Sequence, residues 1–200
     1  IGPGLGQSED TFTVVKAVLE NAKCPVVLDA DGINVVSGHK DILRGRAYPT
    51  VLTPHDGEFA RLGGIIGDNR MGSAMDMAKE LGCNKIALGH HLDDAIETFY
   101  MNLWNEGRIG TFSPVTYLSR KDVTMIRPLA LAVESDVVSA VNQMKMPIVK
   151  SACPADGVTN RQNMKDFITE KCKTDPSFRA KSLNAFQKKD LDGWGIKNKI

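Results

Sequence analysis

Two histidines and two aspartates follow the point where an apolar run stops. The segment reads Leu88-Gly89-His90-His91-Leu92-Asp93-Asp94-Ala95-Ile96-Glu97-Thr98. Lys85 to Leu88 has the character of a buried strand, and an amphipathic helix follows it. Open α/β sheets place their ligands where strands empty polar residues onto helix N-termini. Gly89 lets a ligand approach the backbone, and the free N–H groups of the helix attract an anion. Asp93 or Asp94 is alternatively a ligand for Mg²⁺ through its oxygens. The plain structural reading makes Asp93 a helix N-cap and leaves His90 and His91 as surface loop residues. The candidate ligand site is therefore Gly89, His90, His91, Asp93 and Asp94.

Three further segments carry polar residues at turns. Gly2-Pro3-Gly4-Leu5-Gly6-Gln7-Ser8 is a glycine-rich turn that opens a helix. Such a turn forms an anion-binding nest, here a phosphate nest of Gly4, Gly6 and Ser8. It has no lysine. The second segment is Leu28-Asp29-Ala30-Asp31-Gly32-Ile33-Asn34. The third runs Leu52-Thr53-Pro54-His55-Asp56-Gly57-Glu58-Phe59-Ala60-Arg61-Leu62. Read structurally, Asp31, Asn34 and Thr53 satisfy turns and caps after strands.

Two family resemblances attach to these motifs. Leu88 to Thr98 closely resembles the LGHHxxDxxET motif of PP-loop ATP pyrophosphatases, in particular the tRNA 2-thiocytidine-synthesising (TtcA-like) family. That similarity runs from about Lys79 to Trp194. It implies a protein that activates a tRNA cytidine with ATP and then thiolates it, with Gly89, His90, His91, Asp93 and Asp94 as nucleotide-binding residues. The three earlier segments, in order and spacing, look like the ADP/ATP-dependent NAD(P)H-hydrate dehydratases, which have a ribokinase-like fold. That similarity covers roughly Ile1 to Arg70, extending toward Cys83. It implies that Asp31, Asn34, His55 and Glu58 border the hydrate substrate as a vestigial site, with His55 and Glu58 in polar contact or proton transfer. Asp56 stands where proline is common in that family.

Neither resemblance is complete. The thiolase-like family needs an SGGKDS-like loop to cradle the leaving pyrophosphate, and the sequence has none. Its paired CxxC is also absent. Cys153 stands where a third cluster cysteine would fall, and one thiolate cannot hold an iron–sulfur cluster. The dehydratase family's GTGD-like motif, which carries its catalytic base, does not occur. No catalytic residue and no resident metal are therefore assigned. ATP, bound weakly, and Mg²⁺ are the cofactors in view.

The elements that must position these residues alternate. Helical spacing marks Ser8–Asn21, Asn69–Leu81, Asp93–Trp104, Ser135–Met144, Arg161–Lys173 and Ser177–Lys188, with shorter helical stretches at 33–43 and 58–62. Pro25–Leu28, Thr50–Leu52, Lys85–Leu88 and Ile148–Val149 read as strands. Val115–Leu118 and Val123–Ile126 read as a hairpin turning at Ser119 to Asp122. The implied fold is α/β and Rossmann-like, three-layered, with a mostly parallel sheet and helices on both faces. The first three strands are expected side by side. No polar linker separates the two family-like parts. The chain reads as one composite domain over 1–200, dehydratase-like over 1–80 and thiolase-like over 81–200.

Composition narrows the function classes. With 42% apolar residues the chain has enough for a core, and its net charge of +1 gives no bulk pull toward nucleic acid or membrane. No apolar run approaches the ~20 residues of a membrane span. Four scattered cysteines read as free thiols of a cytoplasmic protein. After Thr159 come ten Lys and Arg against five Asp and Glu, a face that could contact tRNA phosphates or simply be solvated. The expectation is a recombined or engineered chimera without a complete active site, retaining weak adenine-nucleotide binding. The alternative is an enzyme, either an ATP-dependent tRNA cytidine thiolase or a NAD(P)H-hydrate dehydratase, completed by a partner chain.

Overall fold

The computed structural model describes residues 1–146 and 160–195. The expected strand at Ile148–Val149 and Cys153 lie outside the described residues. Two compact units divide the chain: Ile1–Ile86 with Tyr117–Thr124, and Ala87–Thr116 with Met125–Ile200.

The first unit begins with α1 (Glu9–Asn21). Ser8 caps it, its hydroxyl accepting from Thr11 N at 3.2 Å, as a serine at that position should. Val15 and Leu19, one turn apart, are fully buried. β1 (Val26–Leu28) and β2 (Thr50–Leu52) pair in parallel, Val26 opposite Thr50 and Leu28 opposite Leu52. Between them lie α2 (Asp31–Val36) and a 3₁₀ turn at Lys40–Leu43. α3 (Asp56–Arg61) and α4 (Arg70–Glu80) follow. Gly82 takes the left-handed conformation just past α4 (φ 74°), which a side chain would resist. Val15, Leu19, Val26, Leu28, Ile33, Val36, Phe59 and Leu62 share one core. The alternation of β1 sends Val26 and Leu28 into that core, while Val27 faces away beside Val51, both about half exposed.

The second group of elements is β3 (Lys85–Ala87), α5 (Leu92–Glu106), β4 (Val115–Leu118), β5 (Val123–Ile126), α6 (Glu134–Gln143), α7 (Asn160–Thr174) and α8 (Phe178–Lys188). The expected hairpin of β4 and β5 is present. Ala95, Ile96, Ile168, Phe186 and Trp194 form the core where α5 meets α7 and α8. Trp194 is tied down by its indole N–H, which donates to Phe112 O at 2.7 Å. Gly107 closes α5 with φ 62°.

The fold is α/β, as expected. One expectation is corrected. β3 does not lie beside β2; its sheet has the order β3-β5-β4. Thr124 N donates to Asn84 O at 3.0 Å and Leu88 N donates to Ile126 O at 2.9 Å. These bonds step in the same direction along both strands, so β3 and β5 run parallel, with α5 and β4 as their crossover. The backbone groups flanking β3 are thus claimed by β5. Among the described residues, no helix is long and apolar enough to cross a membrane.

Candidate functional site

The 88–98 segment is built as its strand-to-helix pattern required, with the roles of its residues redistributed. His91, not Asp93, caps α5. Its Nδ1 accepts from Asp94 N at 3.3 Å, and Asp94 Oδ2 accepts from His91 N at 2.9 Å. This reciprocal pair is a capping box in which imidazole replaces the usual hydroxyl. Leu92 N donates to Ala132 O at 2.8 Å. Three donors at the start of the helix are therefore already used within the fold.

Asp93 is only 3% exposed. Its Oδ2 accepts from Glu134 N at 2.7 Å, and its Oδ1 pairs with Arg179. Glu134 opens α6, whose own N-cap, Val133, has no side chain able to cap. Asp93 thus caps a neighbouring helix and anchors α8, which is a structural task. Gly89 is exposed, with open space where a side chain would project. His90 is half-buried and packs against Phe112, ring centroids 5.0 Å apart. Burial is the main reason its imidazole is harder to protonate than an ordinary one.

Sequence reasoning left two members of this cluster unassigned. Glu97 is 4% exposed, and burial next to the Asp94 carboxylate pushes its pKa up to about 7. Arg161 on α7 reaches one face of α5: its Nη1 lies 3.3 Å from Asp94 Oδ1, its Nη2 3.3 Å from Thr98 Oγ1 and its Nε 3.9 Å from Glu97 Oε2. Positions 94, 97 and 98 share a face because they are three and four residues apart. Glu97 and Thr98 stood in the motif itself, and only their burial was invisible. Arg161, 67 positions from Asp94, had no local signal.

In the first unit, the glycine turn expected to hold phosphate is tied to a carboxylate of the fold. Gly4 and Gly6 take left-handed φ values of 76° and 75°. Gly6 N donates to Asp31 Oδ2 at 2.9 Å, and Gln7 Nε2 donates to Asp31 Oδ1 at 3.0 Å. The Gln7 bond, followed by the Gly6 bond, holds the Asp31 carboxyl below its usual pKa. Ser8 is occupied as the α1 cap. The other segment residues are also engaged. Asn34 Oδ1 accepts from Arg61 Nη1 at 2.8 Å. His55 caps α3 through Nδ1, accepting from Gly57 N at 3.0 Å, while Glu58 accepts from His55 N at 3.1 Å. His55 Nε2 sits 2.9 Å from Glu58 Oε1, and Glu58 is 2% exposed. A groove of about 730 Å³ lies elsewhere, between the end of α1 and residues 41–48, and contains none of these side chains.

Among the described residues, no three His, Cys, Asp or Glu side chains converge. Cys24 is exposed, and Cys83 and Cys172 are half-buried.

Comparison with known proteins finds likeness to both families. Residues 1–92 match the family model of NAD(P)H-hydrate dehydratase. The bifunctional NAD(P)H-hydrate repair enzyme Nnr of Mycobacterium tuberculosis is 43% identical over 91 residues, 45% of this chain and 19% of that protein. The tRNA-cytidine(32) 2-sulfurtransferase of Geobacter sulfurreducens is 32% identical over 149 residues, 74% of this chain and 54% of that protein. Two family likenesses meet in one chain. The 149-residue alignment is longer than the segment 81–200, so it reaches upstream into the part that resembles the dehydratases. The family match to residue 92 in turn reaches downstream past β3, so α4 and β3 lie where the two likenesses overlap. A solved structure, the U34-tRNA thiolase NcsA from Methanococcus maripaludis with its [4Fe-4S] cluster, has a TM-score of 0.50 at 16% identity over 90% of this chain and 78% of that one. This likeness shows the α/β fold. The chain spans about half the length of the curated tRNA sulfurtransferase and a fifth of the repair enzyme.

Proposed function

We propose that this chain is a recombined α/β protein that binds an adenine nucleotide weakly beside Gly89 to Asp94 and completes neither parental reaction by itself. The observation that carries the reading is the commitment of the would-be anion donors. Gly6 N is held by the Asp31 carboxylate, and the N–H groups of His91 and Asp94 are held in the α5 capping box. A phosphate chain must displace these bonds, and two of its competitors, the Asp31 and Asp94 carboxylates, are themselves anions. Affinity therefore falls on the base more than on the phosphates. The missing SGGKDS and GTGD loops point the same way. Removing one preorganised donor from such a site typically costs ~100- to 1,000-fold in rate, and here a whole loop is missing.

The chain is read as one composite cytoplasmic domain, because it passes between its two units within β3, β4 and β5 and not through a polar linker. Mg²⁺ enters only with the nucleotide. A second reading, tRNA cytidine thiolation in company with a partner chain that supplies the pyrophosphate loop and cluster cysteines, is favoured by the length of the sulfurtransferase alignment. Most of the described basic residues of α7 and α8 are paired with acids: Lys165 with Glu134, Lys173 with Glu170, Arg179 with Asp93 and Lys181 with Asp175. This leaves little free charge for an RNA backbone.

Backbone NMR during an ATP titration tests the site. Shifts confined to Gly89–Asp94 and the carboxyl ends of β3 and β5 are expected. Shifts elsewhere with that segment unmoved refute the site. NADH-hydrate repair or thiocytidine formation in tRNA by the purified chain, above a blank, refutes the rest.

A further inference from the structure

The groove of about 730 Å³ in the first unit has the size of a small-molecule site, ~300–1,000 Å³. Its walls are the end of α1 and residues 41–48, the segments that lead into β1 and β2. Val26 N donates to Pro49 O at 3.0 Å, which sets the amino ends of the two strands side by side. Asp31, Thr53 and His55 follow the carboxyl ends of the same strands. The groove is therefore separate from the glycine turn and its Asp31 carboxylate. Lys16 and Lys23 stand on one wall and Arg44 and Arg46 on the other, against the acids Glu20 and Asp41. Four cations against two acids give the lining a formal +2, more than the +1 of the whole chain. A cleft lined by one sign of charge focuses its field on a counter-ion.

We propose that this groove binds a small multivalent oxyanion, a molecule that carries two or more carboxylate or phosphate groups. Arg44 and Arg46 form its seat, and Lys16 and Lys23 form its rim. The two guanidinium groups are held in place before any ligand arrives. Arg46 Nη2 donates to Ala22 O at 3.1 Å and to Cys24 O at 3.2 Å, while its Nη1 donates to Thr50 Oγ1 at 3.0 Å. Arg44 Nη2 donates to Glu80 O. All four acceptors are neutral oxygens, so these bonds fix the guanidinium groups and leave their charge uncancelled. A guanidinium has five N–H donors, and its planar fork matches carboxylate and phosphate alike. Lys16 is only loosely engaged, 3.9 Å from Glu20, and Lys23 is exposed with no ionic partner among the described residues. Cations on both walls favour a ligand with more than one anionic group, because a single group can meet only one wall. Tyr48, 40% exposed, and the buried Leu19 give the same groove apolar surface for the body of such a ligand.

Pyrophosphate, citrate and acetate, each titrated into the whole chain at low salt, test this, with binding read from backbone amide shifts at 20–24 and 42–48. Pyrophosphate or citrate should move both segments and bind at least ~10-fold more tightly than acetate, since each added charge pair is worth a few tenths to ~1 kcal/mol. Preference for pyrophosphate assigns the groove to phosphate-bearing ligands, and preference for citrate to polycarboxylates. Raising the salt should weaken binding several-fold, as solvent-exposed charges require. Arg46 also ties main-chain carbonyls together, so the informative variants lie on the rim. Lys16→Gln with Lys23→Gln should weaken binding ~10-fold and leave the thermal melt in place. Asp41→Asn removes an opposing charge and should tighten it. The inference fails if pyrophosphate and citrate leave 20–24 and 42–48 unmoved, if acetate binds as tightly as they do, or if the double lysine variant binds them as the parent does. Pyrophosphate shifts confined to residues 89–94 would overturn the groove and leave the nucleotide reading standing.

Discussion

Replacing Glu97 with Gln should make this protein more stable at pH 8 and leave it unchanged at pH 4.5. Glu97 is buried under α7 at 4% exposure, and its pKa rises from an ordinary 4.5 to about 7. Desolvation leads, and the neighbouring Asp94 charge adds to it; Arg161 and Lys165 oppose them. The sign follows from proton counts. Between pH 4.5 and about 7 the folded state keeps the proton while the unfolded chain releases it. Stability therefore falls as pH rises through that window. Below pH 4.5 both states are protonated and the penalty vanishes; above pH 7 it is fully present. One pKa unit corresponds to 1.36 kcal/mol, so the full penalty is of order 3 kcal/mol. Glutamine resembles the protonated acid in shape and charge and lifts it. For a chain of this length each kcal/mol is worth about 2–4 °C, so the variant should melt roughly 6–12 °C higher at pH 8. Thermal melts of both proteins followed by circular dichroism from pH 4.5 to 8.5 measure this. Parallel curves, or a variant less stable at pH 8, would show that Glu97 is ionised and satisfied in the fold. Arg161→Met should widen the gap, because it removes the cation that tempers the Glu97 charge.

Three other outcomes follow from the same contacts. Asp93→Ala leaves Glu134 N and Arg179 without their acceptor in a buried site and should cost ~3–5 kcal/mol, whereas Asp94→Ala loses a half-buried capping partner and should cost ~1 kcal/mol; urea unfolding of the two side by side decides. Asp31→Ala empties the glycine turn, so Gly6 should shift on adding inorganic phosphate in the variant and stay still in the parent. Ile96→Ala opens a cavity at a fully buried position and should lower stability by ~2–5 kcal/mol in the same urea experiment.

Local pattern carried far in this sequence, and distance set its limit. Every strand and helix that apolar spacing marked within the described residues is present, because period and capping residues are local properties. Ser8 and Asn69 cap the helices they precede. What local pattern could not supply was partner choice. β3 was expected beside β2, and only the hydrogen bonds from Thr124 and Leu88 reveal that β5 takes that edge. Aspartate is a commoner N-cap than histidine, which made Asp93 the natural choice over His91. The deciding fact was the bond from Asp93 to Glu134 N, 41 positions away.

Carboxylates inside this fold hold backbone N–H groups that would otherwise be open to an anion. A helix N-terminus and a glycine turn both present N–H groups that some acceptor must satisfy. A phosphate can fill that role. Here Asp31 and Asp94 fill it, joined by the imidazole of His91. Each substitution stabilises the empty fold and raises the cost of admitting an anion by the bonds it must break. Stability and anion affinity are thus opposed at the glycine turn, so Asp31→Ala should trade the first for the second.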